Sequence, residues 1–461
     1  MYYKVENLGK IKSATIDLSK DLTIFCGPNN TGKTFLSYAI YGLSDPISWG
    51  VEIIPSLHSQ LMELESKGVV EVNLFDLIFE NKEIIYKNNS KSLKSKLPIL
   101  LGVESNQFEN SSLKLFWDDS TLFDEIKKAD FQLNFSSMGQ FSVDFGKGNN
   151  SEFLKISFQR LAFKENDNFN YEYSVGLIHN TILQFLALPI GFPSFFLTAE
   201  RSGVTVFGKE LLSNRFDVTS KLQTLEESKR SDYLKKKTNL YSKAIQDAIQ
   251  FQNIIPNFKS EAKISQIDFL ADQIEEEILR GKISTDDSGD VYYSTNEIRV
   301  SIQQAASTIK SMTSLILFLR YRARSGSSLF IDEPELNLHP DNQRLIARII
   351  AQIVNAGIKV FISTHSDYII RELNNLILLK KFSDTDKTKE LMDRYSYEEK
   401  ELLNPDKVGV YSFEHIEDGK VVVESLPLTD SGININSINK AINNQNVIAQ
   451  DIYYSLVENE G

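Results

Sequence analysis

Eight consecutive residues constrain this chain more than any others: Gly27-Pro28-Asn29-Asn30-Thr31-Gly32-Lys33-Thr34. They match G-x-x-x-x-G-K-[ST] at every fixed position, a coincidence expected on the order of one time in a hundred for a chain this long. Leu22-Thr23-Ile24-Phe25-Cys26 before them is a short apolar, β-prone run. Phe35 to Ile40 after them spaces its apolar residues as a helix does. Strand, glycine-containing loop and helix in that order predict an α/β fold with a phosphate-binding loop.

The residue types follow from what a triphosphate needs. Gly27 and Gly32 let the backbone curl, so that the N–H groups of the intervening Asn29, Asn30 and Thr31 approach phosphate oxygens. The helix starting near Gly32 points its positive dipole end at the same anion. Lys33 would reach the β- and γ-phosphates, and the Thr34 hydroxyl would bind Mg²⁺. A nucleoside triphosphate and Mg²⁺ are therefore the expected ligands of this loop.

A second constellation lies far along the chain. Ser328-Leu329-Phe330-Ile331-Asp332-Glu333 is an apolar strand ending in two carboxylates. Asp332 would hold Mg²⁺, directly or through water, and Glu333 would act as general base toward the attacking water. One strand later, Lys359-Val360-Phe361-Ile362-Ser363-Thr364-His365-Ser366 places a histidine at a strand end. His365 could hydrogen-bond the γ-phosphate or the water.

These blocks resemble the ABC-type ATPases, in particular the soluble branch of SMC-, RecF- and OLD-like proteins. The carriers are the phosphate loop, I-D-E-P-E-x-x-L-H-P at 331–340 and S-T-H-S at 363–366. The resemblance implies a head with a mixed sheet flanked by helices and an inserted, mostly helical lobe. It also implies that ATP is sandwiched between two heads, with a signature serine from one head touching the γ-phosphate bound to the other. Ala305-Ala306-Ser307-Thr308 fits the position of that segment, making Ser307 the candidate to act in trans, with Ser301 and Ser311 as rivals, although Thr308 stands where the family carries glycine. His339 stands where transporter-type relatives carry a dimer-contact aspartate. Thr198-Ala199-Glu200-Arg201-Ser202-Gly203 looks like a segment of defence-type ATPases of this branch, placing Arg201 near the nucleotide or the dimer seam, or in a structural ion pair.

With 461 residues the chain exceeds one ordinary core. The expected division is an ATPase core from 1–43 and 300–380, an inserted lobe with additional core strands and helices over 44–299, and a C-terminal α/β extension over 381–461. Within the insert, 207–280 reads as helical and charged, and Asp287-Ser288-Gly289-Asp290 reads as a hairpin turn.

A net charge of −12 does not advertise a broad basic face. Nucleic acid would need a local groove. The single cysteine, Cys26, fits a reducing cytoplasm, and neither a signal peptide nor a membrane-spanning apolar run is apparent. A cytoplasmic protein without a membrane partner is expected. OLD-type relatives carry a metal-dependent nuclease domain after the ATPase; Asp384-Thr385-Asp386 ends no apolar strand and is not read as such a site. The resemblance then implies an ATPase that pairs with itself as a dimer or higher oligomer. It would sense or regulate for a separate effector, such as a nuclease or toxin, as the PARIS and Septu ATPases of anti-phage defence do. A RecF-like DNA clamp and a non-hydrolysing scaffold are the alternatives.

Overall fold

The computed structural model describes residues 1–44, 54–128, 130–137, 141–160, 171–184, 193–208, 210–211, 241–261, 265, 267–286, 289–430, 432–433 and 447–453. The charged runs at 226–230 and 235–237 lie outside the described residues.

Nine strands form one mixed sheet. Five parallel strands run inward from one edge of it in the spatial order Ser194–Leu197, Ser328–Asp332, Lys359–Thr364, Leu22–Cys26 and Val408–His415. Val421–Leu426 pairs antiparallel with the last of these and parallel with Ile11–Asp17. Tyr2–Leu8 and Ser112–Phe116 complete the sheet as antiparallel neighbours.

The central strands are apolar on both faces because both faces are covered. Along them the residues alternate between two cores. Phe25, Phe330, Phe361, Tyr411 and Phe413 point into one. Ile24, Cys26, Ile331, Ile362 and Val410 point into the other. The first core is a ladder of rings: Phe196, Phe330 and Phe361 stack with centroids 5.5 and 4.4 Å apart. Such offset aromatic pairs add about 0.5–1.5 kcal/mol each beyond their buried area.

The C-terminal α/β extension expected over 381–461 supplies two strands, Val408–His415 and Val421–Leu426, that are interior members of this sheet. Val408–His415 pairs directly with the strand that feeds the phosphate loop. Val408 lies opposite Leu22 and Val421 opposite Ile11, separations that strand periodicity does not encode. Ser112–Phe116 and Ser194–Leu197, from within the insert, form the two edges of the same sheet.

The rest of the insert carries helices such as Lys82–Leu101 and Lys243–Glu261, plus a four-stranded antiparallel sheet of Val69–Asn73, Phe153–Arg160, Phe141–Lys147 and Phe131–Ser137. Lys282–Thr285 pairs antiparallel with Val291–Ser294, as anticipated for a hairpin, while 287 and 288 of its turn lie outside the described residues. All five parallel strands end at the same edge of the sheet, where an open α/β sheet places its ligand site.

Candidate active site

The phosphate loop leaves the end of Leu22–Cys26 and enters the helix Lys33–Tyr41, whose N-cap is Gly32. Gly27 (φ +139°) and Gly32 (φ +94°) have backbones that side-chain-bearing residues rarely adopt. A Cβ on Gly27 would also lie 2.6 Å from the carbonyl oxygen of Phe413. The glycine is thus required by the strand from the far end of the chain packing against the loop. Thr31 is fully buried and its Oγ1 donates to the Pro28 carbonyl at 2.8 Å, bracing the loop from inside. Asn29 and Asn30 are exposed at the rim.

Lys33 is 5% exposed, and its Nζ donates to the carbonyls of Gly27 (3.1 Å) and Pro28 (2.7 Å). Burial pulls its pKa down to about 8, against the pull of the nearby Asp332 carboxylate. Lys33 therefore rests inside the loop, where an incoming phosphate would find it.

Parallel register sets the acidic side of the site. Asp332 lies opposite Ser363 on the neighbouring strand, and Ser363 lies opposite Phe25 on the next. The Ser363 hydroxyl donates to Asp332 Oδ1, and Thr34 Oγ1 donates to Asp332 Oδ2 at 2.9 Å. Burial pushes the Asp332 carboxyl above its usual pKa, while those two hydrogen bonds pull it back. A Thr hydroxyl and a carboxylate so placed are the hard oxygen donors that Mg²⁺ selects.

Glu333 follows with φ +50°, a left-handed conformation uncommon for a residue with a side chain. Its N–H donates to the Ser363 carbonyl at 2.9 Å. The carboxylate lies 3.6 Å from His365 Nε2. The other ring nitrogen of His365, Nδ1, is 3.0 Å from the Gly27 carbonyl. His365 thereby bridges the phosphate loop and the general-base candidate.

One contributor was not assigned a role from sequence. The Glu335 carboxylate accepts from the His365 N–H at 2.7 Å and from the Thr364 hydroxyl at 2.9 Å. It fixes the backbone from which the histidine projects. The I-D-E-P-E block contained the signal, but the acceptor's target lies thirty residues on.

A cavity of ≈ 460 Å³ joins these groups, lined by Gly9, Lys10, Asn29–Phe35, Asp332, Glu333 and His365. Gly9 and Lys10, from the turn between the first two strands, were also not anticipated. The loop glycines, Lys33 and the Thr34–Asp332 pair fit a Mg²⁺-bound triphosphate, with Glu333 and His365 at the far end. Bound Mg²⁺ would neutralise charge developing on the phosphates; the chain's own part would be to hold them and to position water.

Arg201 requires a correction. It is 2% exposed and does not line the cavity. Its guanidinium donates to four backbone carbonyls: Thr198 (3.2 Å) and Asp332 (2.7 Å) from Nη1, Glu333 (2.7 Å) from Nη2, and Ser311 (3.2 Å) from Nε. Burial lowers its pKa to about 10, so it stays cationic at neutral pH. Among the described residues it lines no part of the cavity and makes no ion pair; its hydrogen bonds clamp main chain.

Ser307 is exposed at the first position of the helix Ser307–Tyr321 and lies outside its own head's cavity. His339 caps the helix Pro340–Asn355, accepting from the Asp341 N–H at 3.4 Å, with its side chain 72% exposed. Among the described residues no helix is long and apolar enough to cross a membrane.

No curated protein matches the chain. Solved structures similar to it include the Smc head domain with an extended coiled coil bound to the C-terminal domain of ScpA from Pyrococcus furiosus. That match has 11% identity and a TM-score of 0.34, and covers 97% of this chain and 98% of that one. An SmcHead bound to the C-winged helix domain of ScpA matches at 11% identity and a TM-score of 0.32, covering 93% and 98%. The AAA ATPase domain model matches residues 1–370, a span that contains the phosphate loop, Asp332, Glu333 and His365. The chain belongs to the AAA ATPase domain family and is an ATPase with an α/β head.

Proposed function

We propose that two copies of this head close around Mg²⁺-bound ATP, that hydrolysis reopens them, and that this cycle governs a separate effector in anti-phage defence. The observation that carries the pairing is a division of labour. Lys33, Thr34, Asp332, Glu333 and His365 converge on one cavity. Ser307, exposed at a helix start, takes no part in that cavity. A serine so placed is available to a γ-phosphate held by another head. Within the pocket, the loop and Lys33 bind the phosphates, Thr34 and Asp332 hold Mg²⁺, Glu333 takes a proton from water, and His365 orients it.

The effector and the defence role rest on resemblance: the T-A-E-R-S-G segment beside the two catalytic blocks looks like defence-type ATPases. Co-expression with the product of the adjacent gene tests it. Co-purification of a nuclease or toxin that ATP or Glu333→Gln releases or activates is the expected outcome. A neighbouring replication or repair locus, with salt-dependent DNA binding by the chain, would overturn it.

A further inference from the structure

Arg201 joins three elements that meet behind the site. Through Thr198 it holds the end of the edge strand Ser194–Leu197. Through Asp332 and Glu333 it holds the acidic turn. Through Ser311 it holds the first turns of the helix that begins at Ser307. A second set of bonds parallels the first. Thr308 Oγ1 donates to the Asn337 carbonyl at 2.6 Å, and the Asn337 amide donates to Ser202 Oγ at 3.4 Å. The same three segments are therefore joined twice, once by a buried guanidinium and once at the surface.

Two backbones at this joint are unusual. Glu333 (φ +50°) and Asn337 (φ +60°) both occupy the left-handed region. Such residues cost on the order of 1–3 kcal/mol and persist only where their surroundings over-determine them. For Glu333 the determinants are its N–H to Ser363 and its carbonyl to Arg201. Neither bond touches the carboxylate, yet both set where it points.

We propose that Arg201 is a positioning residue that locks the Ser307 helix to the Asp332–Glu333 turn. The helix's placement against a second head's nucleotide and the aim of Glu333 in its own head are then set together. This rests on the paired-head reading above. A lysine cannot reproduce the joint, because a point charge lacks the planar fork that reaches carbonyls on three segments at once.

The test uses the full chain with Mg²⁺ and ATP. Arg201→Lys is expected to lower kcat by about 100-fold, as small misplacements of a catalytic group do. The KM for ATP should stay unchanged, since no loop contact is lost. The Ser307→Ala defect in kcat should be smaller in the Arg201→Lys background than alone, because the two residues act as one unit. A purely structural role would give additive defects and a lowered melting temperature without the kcat-against-KM split. If Arg201→Lys fails to fold, Thr308→Val carries the test. It removes only the outer Thr308 bond and should reduce kcat at unchanged KM and melting temperature. Wild-type kcat in Arg201→Lys, additivity with Ser307→Ala, or wild-type kcat in Thr308→Val would each overturn the proposal. Failure of the paired-head reading is a separate result: Glu333→Gln would then remain a monomer with ATP, whatever Arg201 variants do.

Discussion

Glu335→Ala isolates a residue that does not line the cavity but anchors the backbone of one that does. The carboxylate satisfies two donors, the His365 N–H at 2.7 Å and the Thr364 hydroxyl at 2.9 Å. Thr364 is fully buried, whereas the His365 side chain is 30% exposed. Stranding a buried donor costs about 1–3 kcal/mol, more when the lost acceptor was charged. Water can reach the histidine side of the gap, which offsets part of that cost. The expected loss of folding stability is therefore about 2–3 kcal/mol rather than the sum of two full penalties. The catalytic effect should be larger. With Glu335 gone, the ring keeps its Nδ1 contact to the Gly27 carbonyl and the Glu333 carboxylate at 3.6 Å from Nε2, but the backbone that carries it loses its anchor. A mispositioned group of this kind costs on the order of 100-fold in rate. Phosphate release at saturating ATP measures kcat, binding of a fluorescent ATP analogue measures affinity, and thermal melting measures stability. The prediction is a large fall in kcat, unchanged affinity and a lowered melting temperature. An unchanged kcat in a destabilised protein would refute the reasoning, because it would show that the His365 backbone needs no anchoring.

Other outcomes follow from the same geometry. Gly27→Ala should destabilise the fold and abolish ATP binding, since its Cβ meets the Phe413 carbonyl at 2.6 Å in a backbone with φ +139°; wild-type melting would contradict this. Lys33→Met should abolish turnover, because the buried ammonium in the loop is the expected phosphate ligand; persistent turnover would remove it from that role. Cys26 is fully buried and burial pushes its thiol up to about 12. It should resist iodoacetamide at pH 8 in the folded chain and react once denatured. Its contribution to stability is fully present below the thiol's unfolded pKa near 8.5 and is lost as pH rises from there toward 12, because only the unfolded form ionises in that window. Rapid labelling of the native protein would contradict its burial.

The parts legible in the sequence were those in which chemistry and position coincide. A glycine-lysine-threonine loop between an apolar strand and a helix, and an apolar strand ending in Asp332-Glu333, each carry their role in contiguous residues. Arg201 was placed near the site, but its contacts were not legible. All four of its partners are main-chain carbonyls, which leave no trace in residue type, and three of them lie more than a hundred residues away. Glu335 was hidden for a similar reason, since its donors sit on another strand. The C-terminal segment was legible as α/β, yet the place of its strands at 408–415 and 421–426 inside the sheet was not. Alternation reports which faces are buried, and pairing partners are set by the whole chain. Ser307 is the reverse case. Its exposure is plain, but the role proposed for it needs a second copy.

The pairing of heads is most directly tested by the mass of Glu333→Gln in solution. The chain weighs 52.4 kDa. With Mg²⁺ and saturating ATP, light scattering should give a dimer or a higher multiple of that mass, returning to the monomer when ATP is withdrawn and failing to form when Ser307→Ala is added. A monomer at saturating ATP, with nucleotide demonstrably bound, would contradict the account.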